Sequence, residues 1–226
     1  MRYEIKGGNL PVIECILENG EKIVVEAGAM SWMSPNMEME TKGGGIGKMF
    51  GRAFSGENMF ENIYTARGGK GLFAMASKFP GAIKVFDVSG GKDIILQKHA
   101  FLGREAGVNK EIHFQHGKGS GLFGGEGFIM ERCYGNGLVI GEFDGAVLEY
   151  ELQPGQQIVV DTGHVAAMDA SVKMEVQTVK GMKNKILGGE GFFNTVLTGP
   201  GKVYLQTMPL PNVAGAIRPF IQVGSN

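Results

Sequence analysis

Hydrophobic and polar residues alternate along most segments of the chain that have a clear pattern. Residues 148–152 read Leu-Glu-Tyr-Glu-Leu, and residues 172–176 read Val-Lys-Met-Glu-Val. A period of two places apolar side chains on one face of a strand and polar side chains on the other. The pattern therefore predicts a protein built mostly of half-buried β-strands.

Two dipeptides predict how the strands are joined. Asn19-Gly20 is typical of the tight turn of a β-hairpin, because such a turn needs positive φ at its central residues. Pro154-Gly155 fits the two central positions of a type II turn between strands. Both dipeptides lie between apolar runs, as turns between strands should.

Only the C-terminal end has a helical pattern. Val213, Ile217 and Phe220 fall near one face of a helix that Asn212 is placed to cap. Pro219 would shorten or kink this helix. The predicted class is all-β with one short C-terminal helix.

Three short blocks recur in the same order three times along the chain. They are an apolar strand, a glycine-glutamate block and a glycine turn that leads into a second apolar strand. The first is marked by Ile23, Ile94 and Ile158, the second by Glu57, Glu126 and Glu190, and the third by residues 69–73, 135–139 and 199–203. From isoleucine to glutamate the spacing is 34, 32 and 32 residues. This regularity predicts an internal threefold repeat.

The repeat also predicts the domain organisation. A single repeat is too short to bury its own apolar sheet face, so the three repeats should pack together around a shared core. We expect one domain over residues 1–226, with pseudo-threefold symmetry. Its repeats would span about 21–91, 92–156 and 157–211, followed by a helix and tail over 212–226.

Several motifs in this order resemble a known family. The segments 8–10 and 29–30, the glycine-glutamate blocks and the ending Leu205–Pro211 are similar to the bacterial branch of the mitochondrial biogenesis family. The eukaryotic namesake of that family is altered inheritance of mitochondria protein twenty-four. The resemblance implies a β-fold like the tryptophan RNA-binding attenuation protein, related to the double-stranded β-helix. It implies no catalytic residues.

Composition narrows the function classes. Glycine accounts for 38 of the 226 residues, and the repeat explains much of that excess as equivalent turns. A net charge of -1 argues against a dedicated nucleic-acid binder, which is usually basic. The start of the chain shows no secretory signal and no apolar run is long enough to span a bilayer, so we expect a cytoplasmic protein without a transmembrane segment.

The loops before the three glycine-glutamate blocks combine basic and apolar residues. The candidate interaction residues are Lys42, Lys48, Phe50, Arg52, Phe54, Lys118, Leu122, Phe123, Lys180, Lys183, Lys185, Ile186 and Leu187. Gathered at one end of the protein, they could engage anionic lipid headgroups or an acidic protein partner. The alternative is that the apolar residues pack inward or form the interface of a homo-oligomer.

The three repeated glutamates have two interpretations as well. Glu57, Glu126 and Glu190 could surround an axis as a cation or proton site, because like charges shift one another's pKa. A structural role is favoured, in which each carboxylate accepts hydrogen bonds from its own glycine turn or pairs with a loop lysine.

The sequence singles out no catalytic residue, no cofactor-binding residue and no metal ligand. It favours a non-enzymatic scaffold or interaction protein that docks peripherally on a membrane through its basic apolar hairpins. The alternative is a small-ligand-binding or enzymatic module with a cupin-like core cavity. Nucleic-acid binding ranks third, since it rests on fold analogy alone.

Overall fold

Strands dominate the computed structural model, which describes residues 1–42, 61–116, 127–178 and 193–221. Within these ranges a single α-helix, α1, spans Leu210–Ile217 near the C-terminal end. This confirms the predicted all-β class with a short C-terminal helix. None of the described helices is long and apolar enough to cross a membrane.

The strands form four sheets, and every pairing between them is antiparallel. Sheet A has the order β1 (Arg2–Lys6), β2 (Val12–Leu17), β7 (Gly71–Ala76) and β4 (Trp32–Met33). Sheet B has the order β5 (Met37–Lys42), β6 (Glu61–Ala66), β3 (Lys22–Glu26), β10 (Phe101–Glu105), β13 (Leu138–Asp144) and β8 (Gly81–Asp87). Sheet C has the order β11 (Val108–His116), β12 (Phe128–Gly135), β9 (Ile94–Gln97), β16 (Val165–Asp169), β19 (Gly201–Gln206) and β14 (Val147–Leu152). Sheet D has the order β15 (Gln157–Asp161), β18 (Phe193–Thr198) and β17 (Lys173–Thr178).

Sheets B and C have the same internal order. Adding six to each strand number of sheet B gives the order of sheet C from one edge to the other. Each of these sheets therefore combines strands that lie on both sides of a boundary between two predicted repeats. A sheet shared in this way joins one unit to the next.

In the part of the chain that the structure describes, the buried apolar side chains form three clusters rather than one shared core. One lies between sheets A and B around Phe73, the second between sheets B and C around Phe101, and the third between sheets C and D around Leu197. The expectation of a single core is wrong because the central strands are buried on both faces. In β9, Leu96 belongs to the second cluster and Ile95 to the third.

The two predicted turns both form, but only one in its predicted context. Gly155 has φ 77° and the Gln156 N–H donates to the Gln153 carbonyl over 2.9 Å, which confirms the turn between β14 and β15. Gly20 has φ 84° as expected, yet β2 and β3 belong to different sheets. The hairpin prediction is wrong because both edges of each strand are already occupied, β2 by β1 and β7, and β3 by β6 and β10.

The C-terminal helix begins two residues before the predicted boundary at Asn212. The Leu210 N–H donates to Asp144 Oδ2 over 2.9 Å, so the Asp144 carboxylate accepts from the first turn. Asn212 does not cap the helix, and its Nδ2 lies 3.4 Å from His164 Nε2. The α-helix ends before Pro219, which lies in the following 3₁₀ turn.

Candidate functional site

Nearly all the predicted interaction residues fall outside the described ranges. These are Lys48, Phe50, Arg52, Phe54, Lys118, Leu122, Phe123, Lys180, Lys183, Lys185, Ile186 and Leu187, together with Glu57, Glu126 and Glu190. Only Lys42 is described, as the last residue of β5, where it pairs with Glu61 of β6. The roles of all these residues stay predictions.

The strands on either side of the three undescribed segments are described. Each segment lies between two strands that are consecutive among the described ones and pair antiparallel: β5 with β6, β11 with β12, and β17 with β18. The last pairs before the second and third segments are His116 with Phe128 and Thr178 with Phe193. All three strand pairs end their sheets at one edge, which leaves that edge free of further strands within the described residues.

A cluster of ionisable side chains lies between sheets B and C. Its members are Glu61, Lys98, Arg104, Lys110 and Glu131, which we call the charge cluster. Arg104 Nη2 donates to Glu61 Oε2 over 2.8 Å. Lys110 Nζ lies 3.0 Å from Glu131 Oε2 and 3.8 Å from Glu61 Oε1. Lys110 therefore bridges the two carboxylates.

Burial controls the electrostatics of the charge cluster. Desolvation raises the pKa of Glu131, and the positive charges of Lys110 and Lys98 oppose that rise. The Lys110 ammonium also lies 4.1 Å from the centre of the Phe101 ring, in a cation–π contact. Arg104 Nε is buried and has no hydrogen-bond partner among the described residues. Removing one member would leave another charge buried and unpaired.

Sequence reasoning missed the charge cluster because its members come from distant parts of the chain. Glu61 begins β6, Arg104 lies in β10, Lys110 in β11 and Glu131 in β12. One local signal was present: Arg104 directly follows the apolar run Phe101-Leu102-Gly103. A charged residue next to a buried run is an indication of a buried ion pair.

A second polar group fastens the 3₁₀ turn Thr162–His164 to β19. His164 Nδ1 lies 2.7 Å from the Gln206 carbonyl oxygen. Gln206 Nε2 donates to the Gly163 carbonyl over 3.0 Å and to Gln97 Oε1 over 3.2 Å. These contacts give His164 a structural role beside a turn. Within the described ranges, no group of three or more His, Cys, Asp or Glu residues could hold a metal ion.

Both cysteines are poor nucleophiles. Cys15 and Cys133 are buried and form no disulfide. Burial raises the pKa of each thiol to about 12. A thiol with such a pKa is protonated at neutral pH, and the reactive form is the thiolate.

The most exposed apolar element among the described residues is the C-terminal one. None of the side chains of α1 is buried, and Leu210, Ile217, Phe220 and Ile221 are all exposed, Phe220 by 85%. The only charged residue between 208 and 226 is Arg218. The segment therefore presents an apolar and weakly cationic surface to solvent.

Known proteins resemble this chain over its whole length. The model of a family described as Mitochondrial biogenesis AIM24 matches residues 3–208. An uncharacterized protein of Streptococcus pyogenes serotype M6 is 30% identical over 237 aligned residues, which cover 100% of this chain and 93% of that protein. A crystal structure of a Streptococcus pyogenes protein superposes with a TM-score of 0.82 at 27% identity, covering 97% of this chain and 99% of the other.

Proposed function

This chain belongs to the mitochondrial biogenesis AIM24 family, and on that premise we propose that it is a non-enzymatic, cytoplasmic scaffold that docks on an anionic membrane surface. The observation that carries the proposal is the exposure of the C-terminal apolar segment, with Phe220 at 85%. An apolar helix beside a cationic residue suits the boundary between headgroups and acyl chains.

The predicted hairpin loops also support docking on an anionic membrane surface. They supply seven basic residues to a chain of net charge -1: Lys42, Lys48, Arg52, Lys118, Lys180, Lys183 and Lys185. Basic residues near an anionic leaflet each contribute about 1 kcal/mol of attraction. The loops would add electrostatic attraction, while the C-terminal segment would add apolar burial.

The interior of the described residues also supports a scaffold. Three apolar clusters occupy the spaces between sheets, and the charge cluster pairs most of its members with one another. The two thiols are protonated at neutral pH because of their raised pKa. These groups hold the fold together rather than face a substrate.

We further infer that the three predicted repeats follow one another around a pseudo-threefold axis, with the junction between sheets D and A left open within the chain. The matching strand orders of sheets B and C support this arrangement. The three apolar clusters support it too, because each cluster joins residues of successive predicted repeats. A pseudo-threefold arrangement would bring the three hairpin loops to one end of the protein.

Vesicle sedimentation tests the membrane proposal. We expect the protein to bind vesicles of phosphatidylcholine with phosphatidylglycerol, and to bind pure phosphatidylcholine weakly. The double variant Ile217→Asp, Phe220→Asp and the triple variant Lys180→Glu, Lys183→Glu, Lys185→Glu should each lose most of this binding. Leu10→Asp is the matched control, since Leu10 is an exposed apolar residue in a loop at the other end of the chain. Absent binding by the wild type, or equal binding by all variants, would contradict the proposal.

A small-ligand-binding or enzymatic role is the second candidate. It is favoured by the charge cluster, because Arg104 Nε is buried without a hydrogen-bond partner and could receive a small anion. Inorganic phosphate should then raise the melting temperature of the wild type above that in chloride of equal ionic strength. An unchanged melting temperature would contradict this role.

A further inference from the structure

Two edge strands lack the charges that protect the others. Unprotected sheet edges pair with other chains, and charged side chains prevent this. Among the strands that the structure describes, eight lie at a sheet edge, and six of these carry at least two charged residues each. They are Arg2, Glu4 and Lys6 in β1, Glu38, Glu40 and Lys42 in β5, Lys84 and Asp87 in β8, Lys110 and Glu111 in β11, Glu149 and Glu151 in β14, and Lys173 and Glu175 in β17. The other two are β4, which has no charge, and β15, whose only charged residue is Asp161 at its end.

β15 has counterparts that are paired on both edges. The isoleucines that mark the first repeated block place Val159 at the position of Val24 and Ile95. Val24 pairs with Arg104 of β10, and Ile95 pairs with Met168 of β16. Val24 and Ile95 are 2% and 0% exposed, whereas Val159 is 64% exposed. Ile95 packs in the third cluster between sheets C and D, whereas Val159 alternates with Ile158 onto the other face of sheet D, where no described apolar cluster lies. β15 also pairs only with β18 among the described strands.

β4 is the counterpart of β10 and β16. A side-chain oxygen just after Met33, Arg104 and Met168 accepts a backbone N–H from the neighbouring strand, each time over 2.8 Å. The pairs are Leu72 N–H to Ser34 Oγ, Leu138 N–H to Glu105 Oε2 and Lys202 N–H to Asp169 Oδ2. Met33 therefore occupies the position of Arg104 and Met168. Both of those are buried, whereas Met33 and its neighbour Trp32 are exposed.

We propose that β15 of one copy of this chain pairs antiparallel with β4 of a second copy, with Val159 opposite Met33. The chain uses the same pairing twice within itself, between β3 and β10 and between β9 and β16. Within one chain β4 and β15 belong to different sheets and do not pair, and Trp32, Met33 and Val159 are all exposed. The combined sheet would read β17-β18-β15-β4-β7-β2-β1, and its first six strands repeat the order of sheet C.

The matching apolar character of the β4 and β15 edges supports a second copy of this chain as the pairing partner. Both edges are apolar at the contact, with Trp32 and Met33 on one side and Val159 on the other. Neither edge brings a like charge opposite another at these positions. Each copy offers both edges, so the pairing is head to tail and joins copies into a closed ring or an open chain.

Disulfide trapping between two single-cysteine variants tests the proposal. Residues directly opposite in an antiparallel pair have Cα atoms about 4.5–5.5 Å apart, which suits a disulfide. Val159→Cys mixed with Met33→Cys should give a covalent dimer on mild oxidation, whereas each variant alone should not. The native thiols do not interfere, because they are buried and have pKa values of about 12. Leu10→Cys mixed with Val159→Cys is the control, and it should stay uncrosslinked.

Two results would overturn the proposal. One is the absence of a covalent dimer from the mixture of Val159→Cys and Met33→Cys. The other is an intrachain disulfide in a dilute double variant, which would show that a chain closes on itself. Light scattering adds an independent measurement: the wild type should have a mass of at least two copies of the 24.2 kDa chain, and Val159→Lys should have the single mass with unchanged circular dichroism. A wild type that stays at the single mass at all concentrations would also overturn it.

Discussion

Two pairs of strands, β3 with β10 and β9 with β16, are hydrogen-bonded to each other. Their counterparts β15 and β4 have similar sequences and local contacts, but each lies at the edge of a sheet with no described strand beside it. Val24, Ile95 and Val159 are all β-branched apolar residues in counterpart strands, yet only the first two are buried. Side-chain chemistry at these positions therefore predicts burial equally well in all three. Val159 is exposed because no described apolar cluster covers its face of sheet D, and the unpaired edge of β15 beside it is available to another copy.

The largest expected effect comes from placing an aspartate at Val24, in the fully paired strand β3, and at Val159, in the edge strand β15. Val24→Asp should lower the free energy of unfolding by more than about 4 kcal/mol, because it buries an unpaired carboxylate. Val159→Asp should change it by no more than about 0.5 kcal/mol in a dilute sample, since the residue is exposed there. Denaturant unfolding at low protein concentration measures both. If Val24→Asp does not fold, the pair Val24→Ala and Val159→Ala should keep the same order. Equal losses at the two sites would refute the comparison.

A smaller effect is expected from the hydrogen bond that β4, β10 and β16 share. Asp169→Ala should cost about 1.5–3 kcal/mol, because it removes a charged acceptor from the Lys202 N–H. Ser34→Ala should cost about 0.5–1.5 kcal/mol, because its hydroxyl is a neutral acceptor. Ser171→Ala, at an exposed position, is the control. A Ser34→Ala loss no larger than that of the control would mean that β4 is not built like β10 and β16.

The smallest expected effect is a pH dependence of the unfolding free energy that arises beside β9 and not beside β15. Glu131 pairs with Leu96 of β9, whose other edge is also paired, and Thr195 pairs with Val160 of β15, whose other edge has no described partner. Burial raises the pKa of Glu131 above its ordinary value of 4.5 in the folded state. The folded state then binds more protons than the unfolded state just above pH 4.5, so this residue's contribution to stability falls as pH rises through its folded pKa.

Glu131→Gln should therefore flatten the dependence of unfolding free energy on pH between 4.5 and neutrality. Thr195→Val should leave that slope unchanged, because it removes only a neutral contact with Thr162 Oγ1 at 3.0 Å. Its cost should be about 1 kcal/mol, from the loss of that one hydrogen bond. Denaturant unfolding at several pH values measures both variants. An identical slope in the wild type and Glu131→Gln would show that this carboxyl does not contribute.

The period-two pattern predicted the class of the fold because alternation is a local property. Val172 is buried and Met174 packs partly against the third cluster, as the alternation requires. The same pattern failed for Leu148 and Tyr150, which are exposed although Leu152 is buried. They lie in β14, an edge strand, and alternation does not say where a sheet ends.

Long-range contacts were beyond local patterns for the same reason. The ion pair between Glu61 and Arg104 joins residues 43 positions apart. Asn19-Gly20 specified a turn but not whether the flanking strands would pair, because that depends on which partners occupy β2 and β3. The prediction of basic apolar loops was itself local, and its residues other than Lys42 lie outside the described ranges.

Hydrogen exchange at two protein concentrations tests most directly whether β4 and β15 pair with the corresponding strands of a second copy. We predict that backbone amides of β4 and β15 exchange rapidly in a dilute sample and gain protection as concentration rises. Amides of β3 and β9, whose edges are both paired, should be protected equally at both concentrations. Exchange in β4 and β15 that stays the same at both concentrations would contradict pairing between copies.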